Sequence, residues 1–127
     1  MSKIIIRHLT GSKANHGEEF DEKTSSLRIG RELSMDIKYH PDLDDTVGRQ
    51  HAMIERDKND PAKFFVKDLG SGNGTFVNKT RVNQSVPLSV GDIVQLGPNG
   101  PEFEFDLDPR PVGAMKATRV DQSTLRP

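Results

Sequence analysis

The chain has 127 residues, of which 32% are apolar and 29% charged. That length suits one domain of ordinary size and excludes two catalytic domains in tandem. The 18 Lys and Arg residues are matched by 19 Asp and Glu, which excludes the broad basic surface of a general nucleic-acid binder.

The charge is unevenly placed. Residues 1–108 hold 14 basic and 18 acidic groups, a net of −4, whereas Arg110, Lys116, Arg119 and Arg126 against Asp121 give residues 109–127 a net of +3. Cysteine is absent, which removes disulfide frameworks, thiolate nucleophiles and cysteine-based zinc sites together. The four histidines, His8, His16, His40 and His51, lack the spacing of a helical metal pair, so neither a metal nor a cofactor is expected. The apolar run Ile4, Ile5, Ile6 is too short for a signal peptide or a membrane helix. No membrane contact is expected, and the expected compartment is the cytoplasm.

In chain order, short strands are predicted over residues 3–9, 26–29 and 36–40, around Ala52 and Ile54, over 64–69, 75–78 and 86–88, and around Val94 and Leu96. The last strand is the clearest, because Phe103, Phe105 and Leu107 alternate with Glu102, Glu104, Asp106 and Asp108. Turn chemistry separates them at Asp57-Lys58-Asn59-Asp60-Pro61, Gly70-Ser71-Gly72-Asn73-Gly74, Val90-Gly91-Asp92 and Gly97-Pro98-Asn99-Gly100-Pro101. No window carries a helical apolar stripe, and many short strands without helices read as a β-sandwich or barrel. From Pro109 the pattern ends, so residues 1–108 are read as the folded body and 109–127 as a flexible basic linker or tail.

Enzyme motifs are missing: there is no Gly-x-Ser-x-Gly elbow and no Gly-Lys-Ser/Thr phosphate loop. The glycine-rich turn at Gly70–Gly74 leads into β-prone Thr75-Phe76-Val77 rather than the helix a nucleotide cradle requires. Asp42, Asp44 and Asp45 lack the glycine and glutamate of a calcium loop and read as a solvated turn.

Three polar clusters remain at strand ends: Gly30-Arg31 after one strand, Gly48-Arg49-Gln50-His51 before another, and Asp68-Leu69-Gly70-Ser71-Gly72-Asn73-Gly74-Thr75 between two more. Each alone has an ordinary reading as a turn with solvated side chains. In this order, and followed by Leu88-Ser89-Val90-Gly91-Asp92, they resemble the forkhead-associated (FHA) domain over roughly residues 3–107.

The resemblance implies an all-β sandwich of two antiparallel sheets, about eleven strands in all, with binding loops at one end and no enzymatic activity. It implies a phosphothreonine-containing protein or peptide as partner, in Ser/Thr kinase signalling. Arg31 then contacts the phosphate, Arg49 lines the peptide site, and Asn73 holds the peptide backbone. Gly30, His51, Gly74 and Thr75 shape the loops, and Thr46 and Gly72 lie on the rim with Lys79 and Arg81. The chemistry suits those roles. A phosphothreonine carries about two negative charges and three acceptor oxygens, and an arginine fork meets them with directional, charge-assisted bonds. Gly48 departs from the family, which usually has a phosphate-binding serine there. That departure keeps an alternative open, a phosphate-independent structural or oligomerising module on the same fold. The tail contains Thr118-Arg119-Val120-Asp121, a possible phosphorylation site at Thr118 that would dock on the loops of its own or a neighbouring chain.

Overall fold

The computed structural model describes residues 1–111, and Thr118 with the rest of 112–127 lies outside the described residues. Eleven strands run in chain order: β1 Lys3–His8, β2 Gly17–Phe20, β3 Ser26–Gly30, β4 Ile37–Lys38, β5 Ala52–Arg56, β6 Phe64–Asp68, β7 Thr75–Val77, β8 Thr80–Arg81, β9 Ser85–Leu88, β10 Ile93–Leu96 and β11 Glu102–Asp108. There is no helix among the described residues. The strands form a six-stranded sheet, β2-β1-β11-β10-β7-β8, and a five-stranded sheet, β4-β3-β5-β6-β9. The expected β-sandwich is therefore present, with one difference. β4 pairs parallel to β3, through Ile29 opposite Ile37 and Gly30 opposite Lys38, whereas every other pairing is antiparallel.

Period-two alternation explains the layering. β1 turns Ile4, Ile6 and His8 inward, and its neighbour β11 turns Phe103, Phe105 and Leu107 inward. The facing sheet contributes Leu27, Ile29, Ile54, Phe64 and Val66. The Phe64 and Phe105 rings meet edge-on across the layers, with centroids 5.2 Å apart, a geometry that stabilises by about 0.5–1.5 kcal/mol beyond area burial. Asp106 points outward yet is only 3% exposed. Arg7 and Arg110 cover it, at 2.7 and 2.9 Å.

The register also fixes where the loops gather. Ile29, Ala52 and Asp68 stand side by side at one end of the five-stranded sheet. Thr75 faces Leu96 in the other sheet, and hydrogen bonds described below join the two rows. Loops 31–36, 39–51, 69–74 and 97–101 thus meet at one end of the sandwich.

Candidate functional site

Arg31 is the first residue beyond β3. Its backbone N–H donates to the Gly48 carbonyl at 3.1 Å, so the β3–β5 ladder continues past the strands into the loops. The half-buried side chain lies along the 41–48 loop. Nε donates to the Val47 carbonyl at 2.5 Å and one terminal nitrogen donates to the Pro41 carbonyl at 2.8 Å. A guanidinium has five N–H groups, so three remain, and no carboxylate lies within ion-pair distance of Arg31 among the described residues. The cation is oriented by neutral carbonyls and its charge stays unpaired.

Gly30 owes its place to close approach. A Cβ there would stand 2.0 Å from the Arg49 carbonyl oxygen and 2.7 Å from its carbon. Its φ is not in the left-handed region, so conformational freedom is not what this position requires of glycine. The missing side chain is what lets the 49–50 backbone lie directly against the end of β3. Arg49 itself is exposed, and its side chain has no hydrogen-bond or ion-pair partner among the described residues. Arg31 and Arg49 line the same open cavity of about 680 Å³.

His51 ties the loops together and is fully buried. The Gly48 N–H donates to Nδ1 at 2.8 Å, which leaves the ring proton on Nε2, and Nε2 donates to the Gly74 carbonyl at 2.8 Å. The Nδ1 contact requires the neutral ring, because only an unprotonated nitrogen accepts. Burial accordingly pushes its pKa down, against the raising effects of the Gly74 carbonyl and Asp68. The Gly74 carbonyl also accepts from the Gly97 N–H at 2.9 Å, bringing in the fourth loop.

Asn73 Nδ2 donates to the Thr46 carbonyl at 2.9 Å, and the Thr46 hydroxyl donates to the Leu96 carbonyl at 3.0 Å. Arg31 and Asn73 therefore hold consecutive carbonyls, Val47 and Thr46, of one loop segment. The exposed Asn73 amide keeps its oxygen and a second N–H for another group. Gly72 is exposed with open space around it. Thr75 is buried and donates to Asp68 at 2.7 Å.

Asp68 organises the glycine-rich turn. Its carboxylate accepts four hydrogen bonds at 2.6–3.0 Å, from Gly70 N–H, Ser71 N–H, the Ser71 hydroxyl and the Thr75 hydroxyl. Burial alone would raise its pKa, but the hydroxyl and N–H donors outweigh burial and hold the carboxyl below its usual range. The signal was available: aspartate two residues before a glycine is the sequence mark of a side-chain-capped turn.

Two expectations need correction. Asp44 is not a solvated turn residue, because it is 4% exposed. It accepts from Ser12 N–H at 3.1 Å, from the Ser12 hydroxyl and from His40 N–H at 3.0 Å, pinning the 40–47 loop to the segment after β1. Lys79 is not at the rim, because it pairs with Glu102 at 2.9 Å on the outer face of the six-stranded sheet. Arg81 does lie beside the glycine-rich turn, its guanidinium about 3.0 Å from where a Cβ on Gly74 would stand.

The comparisons with known proteins agree with this arrangement. The family profile described as the FHA domain matches residues 27–97. The chain is 48% identical over 84 residues to the oxoglutarate dehydrogenase inhibitor of Corynebacterium jeikeium, covering 65% of this chain and 53% of that protein. It is 48% identical over 63 residues to the glycogen accumulation regulator GarA of Mycobacterium tuberculosis, covering 46% of this chain and 36% of that one. The chain thus spans about half or less of the length of these curated relatives, which are an inhibitor and a regulator. A solved structure described under phosphothreonine-dependent FHA domain interactions superposes with a TM-score of 0.64 at 28% identity, over 82% of this chain and 95% of that one. With its profile match spanning more than half of the sequence and its loops joined through Arg31, His51 and Asn73, the chain belongs to the FHA domain family.

Proposed function

We propose that this protein is a phosphothreonine-dependent interaction module that recruits phosphorylated partners in Ser/Thr kinase signalling, and that it acts by binding rather than catalysis. The carrying observation is the pair of arginines. Arg31 and Arg49 open onto one cavity, neither is neutralised by a carboxylate among the described residues, and Arg31 is pre-oriented by two carbonyls. Unpaired cations at a loop rim suit an incoming dianion, and pre-orientation lowers the entropy lost on binding. Asn73 stands on the adjoining turn with amide groups left for a peptide backbone. His51, Asp68 and Thr75 hold the loops in register from behind. The solved relative described under phosphothreonine-dependent interactions supports the same reading.

No helix among the described residues is long and apolar enough to cross a membrane. A cytoplasmic setting fits, because a kinase must install the phosphate that the loops read.

The test is titration of matched peptides carrying threonine, phosphoserine or phosphothreonine. Phosphothreonine alone binds, and Arg31→Ala removes the binding. Equal binding of the unmodified peptide overturns the reading. One observation favours the alternative, a phosphate-independent module: Gly48 offers no hydroxyl, and its N–H is already taken by His51. Under that alternative, Arg31→Ala leaves partner binding unchanged.

A further inference from the structure

The carbonyls that orient Arg31 are themselves held by a carboxylate. Pro41 and Val47, which accept from the guanidinium, stand on either side of Asp44. Asp44 closes the turn between them. Its carboxylate accepts from the His40 N–H at 3.0 Å. Its own N–H donates to the His40 carbonyl at 3.1 Å, and its carbonyl accepts from the Val47 N–H at 3.0 Å. Thr46, whose carbonyl holds Asn73, belongs to the same turn.

The other bonds to that carboxylate come from outside the loop. Asp44 is buried, and no Lys or Arg lies within ion-pair distance of it among the described residues, so hydrogen-bond donors stand in for a cation. Two of its three donor groups belong to Ser12: the N–H at 3.1 Å and the hydroxyl. Ser12 lies between β1 and β2, at the edge of the six-stranded sheet, and is exposed. Gly11 brings it in. Its φ is +90°, and a Cβ there would stand 2.6 Å from the Pro101 Cβ and 3.3 Å from Asp44 Oδ1. Ser12 also lies outside residues 27–97, the span that the FHA profile matches.

We propose that Ser12 is a positioning residue for the phosphate site: acting through Asp44, it sets the Pro41 and Val47 carbonyls that aim Arg31. A buried carboxylate that loses a donor recruits another or turns toward water. Either response disturbs its bond to the His40 N–H and the turn that this bond closes. A guanidinium with less firmly fixed acceptors then gives up more freedom when it binds. The proposal rests on the phosphothreonine reading above. It adds that affinity is set in part from the connection between β1 and β2, which the motif residues do not include.

The test uses the full chain as wild type, Ser12→Ala, Ser12→Thr, Asp44→Asn and the Ser12→Ala/Asp44→Asn double variant. Melting first establishes that each is folded at the working temperature. Fluorescence anisotropy with an alanine-flanked phosphothreonine peptide gives affinities, and NMR of the free chains reports the Arg31 Nε–H. Ser12→Ala shifts that signal and weakens the peptide about fivefold, part of what one bond to a charged group contributes. Ser12→Thr keeps the hydroxyl and restores both readouts. In the double variant the loss is no greater than in Asp44→Asn alone, because both changes break one bond. Ser12 also lines the cavity beside Arg31, and direct contact with the peptide would instead weaken binding additively and leave the free Arg31 signal unmoved. That result overturns the proposal, as do wild-type affinity in Ser12→Ala and a Ser12→Thr as weak as Ser12→Ala. If Asp44→Asn does not fold, the two Ser12 variants decide alone. If the wild type binds phosphorylated and unmodified peptides equally, the phosphothreonine reading fails, while the Arg31 signal of Ser12→Ala still supports or refutes the positioning.

Discussion

Gly48→Ser is the sharpest perturbation that the loop geometry allows. A Cβ built on Gly48 meets nothing closer than 3.6 Å, where it touches His51 Nδ1 in ordinary van der Waals contact, and the backbone φ is not in the left-handed region. A serine therefore fits without moving the loop. Its hydroxyl has few local partners. His51 Nδ1 has one lone pair, which already accepts the Gly48 N–H at 2.8 Å. The hydroxyl is free for a phosphate on Arg31, whose backbone N–H bonds the Gly48 carbonyl. A hydrogen bond to a charged group contributes about 1.5–3 kcal/mol, and the half-exposed position points to the lower end, roughly a tenfold gain in affinity. Gly48→Ala is the control. Like serine, alanine reduces the unfolded chain's conformational freedom relative to glycine, but it supplies no hydroxyl. Anisotropy titration with phosphorylated and unmodified peptides reads the outcome. The reasoning is refuted if Gly48→Ser folds normally and gains nothing, if Gly48→Ala gains as much, or if the unmodified peptide gains equally.

Four further outcomes follow from the loop network and the sheet beneath it. Because burial depresses its pKa, His51 keeps its neutral, Nε2-protonated form in the folded chain to lower pH than a free imidazole does. The unfolded chain takes up that proton as pH falls below about 6.5, so stability declines from there downward, and imidazole nitrogen NMR with denaturant titrations at several pH values checks both points. His51→Ala leaves the Gly48 N–H and the Gly74 carbonyl without their partner and lowers unfolding stability by about 2–4 kcal/mol, measured by urea denaturation. Gly30→Ala drives a Cβ to within 2.0 Å of the Arg49 carbonyl, so the loop must shift; the expected result is a destabilised chain with weakened phosphopeptide binding, read by melting and titration together. Burial would raise the Asp106 carboxyl, but hydrogen bonds from Arg110 and Arg7 bring it to about 2. Its stabilisation is present above the ordinary carboxylate range and is lost as pH falls toward 2, so Arg7→Ala moves the acid-unfolding midpoint to higher pH.

Much of the fold is written in local pattern. β11 alternates apolar and polar residues because one face packs on the core, and that alternation is visible without coordinates. β2 is not visible this way. Its residues, Gly17-Glu18-Glu19-Phe20, sit at a sheet edge where burial imposes little pattern. β8 has two residues, Thr80 and Arg81, too few to show a period. Asp44 reads as solvated because its partners, Ser12 and His40, are distant or ambiguous in sequence, and only folding brings Ser12 across. At the site, the motif spacing marks Arg31, Arg49, His51 and Asn73 as a set. It does not reveal that Arg31 and Asn73 hold adjacent carbonyls, nor that a cavity extends from the arginines over Lys38 and Leu33. Those facts depend on how separate loops meet, which no local pattern encodes.

The most direct measurement of the central claim is NMR of the arginine side-chain Nε–H groups during titration with matched phosphorylated and unmodified threonine peptides. The account predicts that the Arg31 and Arg49 signals move with the phosphorylated peptide and stay fixed with the unmodified one. Signals that stay fixed while the phosphopeptide binds elsewhere, for example on the outer face of β1 and β11, would contradict it.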